Sequence, residues 1–346
     1  MHKTSKSLFL AIIMVAIFFG CKKETSVDIN PDITSDHGVF IVNEGNFQWS
    51  NASVTYYNFN DGKYAENVFV DVNSRPLGDV AQSICVLGEK AYIVVNNSNK
   101  IEIVNRKDFL SIGVINGFTS PRYLLPINSA KAYVSDLYSN SIAIVDLNTN
   151  SITGNIKCNG SSEEMVLVNT TVVVTNTRTD YIYLINSTSD AIVDSIILGF
   201  ASNSVAEDKN GKLWVMCAGD AANSINASIH RVDIQSKIIE QSFPLPVALN
   251  IWDKLRINQT KDTLYYMCNG VFQMPINASA LPSQAFIAQG VHVFHSLGIN
   301  PLNHQIFVAD AVDYVQKGKV YYYSSASGAL LGTINTGVIP TDFYFY

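Results

Sequence analysis

Lys131-Ala132-Tyr133-Val134-Ser135-Asp136-Leu137-Tyr138 and, just after it, Ser141-Ile142-Ala143-Ile144-Val145-Asp146 hold two short apolar runs joined by a polar turn and closed by Asp. Val39-Phe40-Ile41-Val42-Asn43 with Val54-Thr55-Tyr56-Tyr57-Asn58 repeats the arrangement, as does Ile306-Phe307-Val308-Ala309-Asp310 with Val320-Tyr321-Tyr322-Tyr323-Ser324. Seven such units follow one another. The second position of the first run reads Phe40, Tyr92, Tyr133, Val173, Trp214, Tyr265 and Phe307, aromatic in all but one. Runs of this length, bounded by Asn, Asp and Gly, are strands rather than helices. A period of about 40–50 residues marks an array or propeller with four short strands per repeat. The expectation is an all-β, seven-bladed β-propeller.

The register also predicts how the ring closes. Each unit ends on a strand that becomes the innermost of the next blade, as in Arg122-Tyr123-Leu124-Leu125 and Met165-Val166-Leu167-Val168. The last of these is Asp342-Phe343-Tyr344-Phe345-Tyr346. It has no following blade except the first, so it should pair with the strand starting at Gly38. Closure of this kind removes an unpaired sheet edge. The Asn or Asp after each second run reads as a turn former, because short polar side chains accept hydrogen bonds from turn amides.

Composition fits a large β core. Of 346 residues, 47% are apolar and only 15% charged, with 17 Tyr and 17 Phe. The formal charge of −6, with no basic cluster, argues against nucleic-acid binding, which requires neutralising phosphates. Residues 1–20 read as a signal peptide: Lys3 and Lys6, then an apolar stretch from Leu8 to Phe19, too short for a bilayer span. Phe18-Phe19-Gly20-Cys21 resembles a bacterial lipobox, with Cys21 as the lipidated first residue and residues 21–36 as a tether. The expected domain is then 37–346. The remaining cysteines, Cys85, Cys158, Cys217 and Cys268, are expected as buried free thiols. Cys217 and Cys268 sit at equivalent positions of consecutive units, too far apart for a disulfide.

Longer motifs carry a resemblance across residue 38 to the end. Phe40-Ile41-Val42-Asn43-Glu44-Gly45-Asn46, Pro76-Leu77-Gly78-Asp79-Val80-Ala81-Gln82-Ser83, Ser120-Pro121-Arg122-Tyr123 and Asp313-Tyr314-Val315-Gln316-Lys317-Gly318 resemble the YncE-like, "surface layer protein"-type propeller lipoproteins of Bacteroidetes. One branch of these is similar to surface lipoproteins that capture cobalamin and pass it to a TonB-dependent outer-membrane transporter. The resemblance implies a lipid-anchored, surface-exposed outer-membrane protein. It implies a corrinoid or sugar-like ligand, or docking to such a transporter.

Loops joining second to third strands, and loops leading into innermost strands, are the expected ligand face, since recognition sits on loops held by a rigid scaffold. The candidate ligand-binding residues are Glu44, Phe47, Trp49, Arg75, Asp79, Arg122, Tyr138, Glu164, Arg178, Trp252, His295 and Tyr314. Aromatics mixed with amides and acids suit a polar, ring-containing ligand. Residues 43–55 and 218–228 lengthen the same loop type in two units. No cofactor or metal is implied: no nucleophile elbow, zinc motif, phosphate loop or calcium loop is present. His292 and His295 are three apart and fall on opposite faces of a strand. The chain is expected not to be an enzyme. A propeller hydrolase or lyase using Asp79, Glu164 or Asp313 is the catalytic alternative, and an envelope interaction scaffold is the other.

Overall fold

The structure, a computed structural model, describes residues 37–346. The signal peptide, the tether and Cys21 lie outside the described residues. The described chain folds as seven four-stranded antiparallel sheets arranged in a ring. We number them as blades I to VII from the N-terminus. Their innermost strands are Pro340–Phe345 for blade I, then Ala81–Leu87, Pro121–Pro126, Ser162–Val168, Ser202–Glu207, Leu255–Ile257 and Phe294–Ile299 for blades II to VII. Each innermost strand packs beside the next, and Pro340–Phe345 packs beside Ala81–Leu87 to complete the circle.

Closure occurs as expected. Gly38–Asn43 pairs with Pro340–Phe345 in the register Val39 to Phe345, Phe40 to Tyr344 and Ile41 to Phe343. The latest and earliest parts of the fold therefore share one blade.

The repeated aromatic column explains how blades adhere. Seven buried apolar clusters each join one blade to its neighbour. Phe40 packs with Ala91 and Ile93, Tyr92 with Ala132 and Val134, and Tyr133 with Val172 and Val174. Trp214 packs with Leu264 and Tyr266, Tyr265 with Val308, and Phe307 with Val39 and Ile41. Val173 holds the same place in the seam between blades IV and V, with Leu213 and Val215. A ring of identical seams is stabilised mainly by apolar area removed from water.

The polar column does the turn work expected of it. Asp146 Oδ1 accepts the amides of Asn148 and Thr149, Asn186 Oδ1 those of Thr188 and Ser189, and Asp233 Oδ1 those of Gln235 and Ser236. Serines also stitch blades together: Asp136 N donates to Ser162 Oγ, and Asn176 N to Ser202 Oγ. The four cysteines are free thiols, but Cys85 is only partly buried, unlike the other three. A single helical turn, Val68–Asn73, lies in the connection from blade I to blade II, where the repeat gave no signal for it.

Candidate functional site

The central channel has an upper mouth on the side of the loops that join second to third strands. A cavity of about 410 Å³ opens there, lined by Glu44, Val80, Gln82, Arg122, Ile251, Trp252, Lys254, His295, Tyr314 and Thr341. Five of the twelve sequence candidates meet in it: Glu44, Arg122, Trp252, His295 and Tyr314. Gln82, Lys254 and Thr341 escape the sequence reading. They sit on innermost strands or just before them, where the period-2 pattern also aims side chains at the bore, and that was the usable signal.

Three rings form one wall. Trp252 and His295 lie 5.6 Å apart between centroids, His295 and Tyr314 5.6 Å with planes at 81°, and Trp252 and Tyr314 6.3 Å at 66°. Edge-to-face arrangement is what aromatic quadrupoles favour. The loop after Asn43 is tied onto this wall: Asn46 Nδ2 donates to Tyr314 O at 3.0 Å. Val80 and Tyr314 both hold left-handed backbone, with φ of 56° and 62°. A β-branched residue there is strained, and such strain gathers at ligand sites.

The floor is charged and internally matched. Arg122 Nε and Nη2 donate to both oxygens of Glu163 at 2.8 and 2.6 Å, and Nη1 donates to Gln82. Lys254 Nζ donates to Tyr123 Oη at 2.9 Å and lies 3.2 Å from Glu164, which Arg256 also approaches at 3.0 Å. Burial opposes ionisation of Glu164, but Arg256 and Lys254 outweigh it and hold its carboxyl below the ordinary value. Burial likewise opposes the Lys254 ammonium, yet Tyr123, Glu164 and Glu163 raise its pKa. Burial opposes the charge on Glu44 too, while the hydrogen bond and field of His295, with Arg122 nearby, bring its pKa down. Two acids behave differently. Burial pushes Asp253, beside Trp252, up to about 6, and pushes Asp342 up to about 6 despite the field of Arg256.

The other candidates fall elsewhere. Asp79 closes loops, accepting from Gln48 N at 2.8 Å and Asn97 Nδ2 at 2.6 Å. Arg75 is bound to Glu102 and Ser111 and lies over the Phe69 ring, so it does not reach the mouth. Glu164 lies in the charged floor. Tyr138 and Arg178 pair with each other, guanidinium to ring centroid 5.3 Å. Phe47 and Trp49 project to solvent, 64% and 75% exposed. Asp313 caps an exposed turn through Val315 N and Gln316 N, so Asp79, Glu164 and Asp313 each serve separate local contacts. His292 bonds Asp310 while His295 bonds Glu44. Among the described residues no cluster of His, Cys, Asp or Glu could hold a metal ion.

A larger groove of about 640 Å³, bordered by Phe118, Asp136, Asn140, Asn155 and Lys157, lies outside the channel mouth. Its carboxylate, Asp136, is taken up by the amides of Thr119, Ser120, Tyr138 and Ser139. The mouth, where rings and charges converge, is the better candidate.

Residues 37–346 match the family described as a domain of unknown function, DUF5074, and the chain belongs to that family. No curated protein matches the sequence. Among solved structures, the chain is similar to a quinonprotein alcohol dehydrogenase-like protein from Bacteroides thetaiotaomicron, with TM-score 0.71 and 15% identity, over 91% of this chain and 79% of that one. A protein described as a candidate 6-phosphogluconolactonase from Bacteroides fragilis gives TM-score 0.66 and 13% identity, over 92% and 100%. Hydrazine synthase of Kuenenia stuttgartiensis gives 0.59 and 13%, over 76% and 88%. At these identities the likeness is one of fold, and its function must be argued from the site.

Proposed function

We propose that this DUF5074 propeller is a binding protein that captures a broad, ring-bearing polar ligand on its upper face, with one arm of the ligand seated in the channel mouth. The specific ligand we infer is a corrinoid, handed on to a TonB-dependent outer-membrane transporter by a chain anchored through Cys21. The observation that carries the reading is the Trp252–His295–Tyr314 wall set beside Glu44 and Arg122.

Size and exposure support it. A cavity of about 410 Å³ falls at the small end of ligand sites and would hold an arm rather than a macrocycle. Phe47 and Trp49, on the loop that supplies Glu44, extend apolar surface beyond the mouth, where a wide ring would rest. The electrostatics favour holding over proton transfer. Glu44 and Glu164 are displaced below, and Lys254 above, their ordinary values, whereas acid–base catalysis needs groups poised near the working pH. Asp253 and Asp342 come nearest to that range, and both carboxylates accept backbone amides, from Asn250 and Ile84.

Titration calorimetry of the chain from residue 37 with cyanocobalamin and with cobinamide tests the proposal. Saturable one-to-one binding is expected. No heat and no thermal shift with either would overturn the corrinoid reading. Docking onto a protein is the second reading, favoured by the exposed Trp49 and Val315 on the same face. Its test is recovery of a TonB-dependent transporter from solubilised outer membranes by the wild-type chain but not by Trp49→Asp.

A further inference from the structure

We infer that Glu44 makes the mouth selective for an uncharged, hydrogen-bonding arm such as a carboxamide, and that it excludes a carboxylate or phosphate. The inference rests on the binding role proposed above and names the chemistry of the group the mouth accepts.

The argument is one of charge matching. Three cations surround the cavity and its floor, Lys254 buried and Arg122 and Arg256 partly so, and their close ion-pair partners are the two carboxylates of Glu163 and Glu164. Arg122 grips both oxygens of Glu163, and Lys254 and Arg256 share Glu164. Bidentate pairing and close ion pairing tie up these cations, and Glu44 itself draws on the field of Arg122. Glu44 differs. Its ion-pair contact is His295, through Nε2 to Oε1 at 3.3 Å, and among the described residues no Lys or Arg forms an ion pair with it. His295 is 3% exposed, and its Nδ1 has no hydrogen-bond partner among the described residues. The Glu44 side chain remains 21% exposed toward the cavity. Asp253, within the field of His295, and Asp342, within that of Arg256, add to the negative side of the balance.

An arriving carboxylate would thus meet Glu44 beside three cations, Arg122, Lys254 and Arg256, whose charge Glu163, Glu164 and Glu44 already balance. A carboxamide would instead offer N–H groups to Glu44 and a carbonyl to one of the two remaining N–H groups of Arg122. In a partly desolvated site, like charges a few ångströms apart weaken binding by roughly tenfold to a hundredfold. The aromatic wall fits the same ligand, since stacking on Trp252 needs no charge.

The test compares cobinamide, whose rim carries carboxamides, with cobyrinic acid, whose rim carries carboxylates, on the wild-type chain and on Glu44→Gln. Calorimetry is run at 0.15 M and at 0.5 M salt, to separate the local effect from the overall negative charge of the chain. The expected result is that the wild type prefers the amide form by at least tenfold at both salt concentrations, and that Glu44→Gln narrows this ratio by about tenfold or more. Unchanged melting temperature in Glu44→Gln confirms that the variant folds. Equal binding of both forms by the wild type, or an unaltered ratio in the variant, overturns this inference while leaving the capture role in place. Absence of binding by either form overturns both.

Discussion

Arg122 and Glu163 form a two-point ion pair between neighbouring innermost strands, 2.8 Å from Nε to Oε2 and 2.6 Å from Nη2 to Oε1, with Glu163 wholly buried. The pair joins blade III to blade IV at the bore and sets the guanidinium beneath the mouth. Glu163→Gln removes the charge but keeps the shape, leaving a buried cation half matched. Breaking one side of such a pair costs about 3–5 kcal/mol. Urea unfolding should show that loss, and Arg122→Met with Glu163→Met together should recover most of it. A loss below about 1 kcal/mol in the single variant would show that the bore is wet enough to screen the pair.

Trp214 carries a different kind of stability. Its indole lies fully buried in the seam between blades V and VI, stacked near Phe243, and Nε1 donates to Asp208 Oδ2 at 2.9 Å. Asp208 is itself buried, with Oδ1 held by Asn210 N and Lys212 N. Trp214→Phe removes the donor and part of the volume. The unmatched carboxylate oxygen and the void should together cost roughly 2–4 kcal/mol in chemical denaturation. Leu or Ile in place of Val173, the one aliphatic member of that column, should change stability by less than about 1.5 kcal/mol.

Asp342 gives the fold a pH dependence whose sign can be worked out. Burial raises its folded carboxyl from the ordinary 3.8 to about 6. The folded chain therefore holds this proton more tightly than the unfolded chain. The stabilisation is complete below pH 3.8 and is lost as pH rises through about 6. Asp342→Asn should be more stable than wild type by roughly 1–3 kcal/mol at pH 8 and about equal to it near pH 4. The Ile84 amide, which donates to Oδ2 at 3.0 Å, can still find the Asn oxygen. Asp253 titrates over the same range, so the informative quantity is the difference between variant and wild type at each pH. A gain independent of pH would assign it to something other than this carboxyl.

The ring was readable because each blade repeats one physical problem. An aromatic at the second position of the second strand fills the seam to the next blade, so Phe40, Tyr92, Tyr133, Trp214, Tyr265 and Phe307 announce the period. With the units in register, the pairing of Gly38–Asn43 with Pro340–Phe345 follows. The mouth was legible only in part. Glu44, Trp252, His295 and Tyr314 come from four separate segments, and their meeting depends on how far each loop folds inward. Arg75 shows the limit: it stands just before the innermost strand of blade II, where a bore-facing residue is expected, yet Glu102 on the third strand turns it outward. Glu102 is wholly buried and needs its cations, Arg75 and Lys100, and that demand is invisible without the fold. Lys254 was missed for the converse reason, because a lysine buried at 2% exposure is rare unless matched, and Tyr123 and Glu164 that match it come from other blades.

Trp252 and Arg75 therefore offer a paired test of where recognition lies. Trp252 sits on a loop, contacts His295 and Tyr314 at the mouth and remains partly exposed, so truncation removes a ligand platform more than a core side chain. Trp252→Ala should weaken corrinoid binding by about tenfold or more, in line with loss of a buried aromatic anchor of roughly 2 kcal/mol, and should alter stability by under about 1 kcal/mol. Arg75→Ala should do the reverse. It breaks the contact with buried Glu102, at 2.6 Å, and lowers stability by about 1–3 kcal/mol, with Lys100 still matching the carboxylate. Its ligand affinity should stay within a factor of two of wild type. Both variants are compared by calorimetry and by urea unfolding. Loss of affinity in Arg75→Ala with Trp252→Ala unaffected would move the site from the channel mouth to the rim beside the Val68–Asn73 helix.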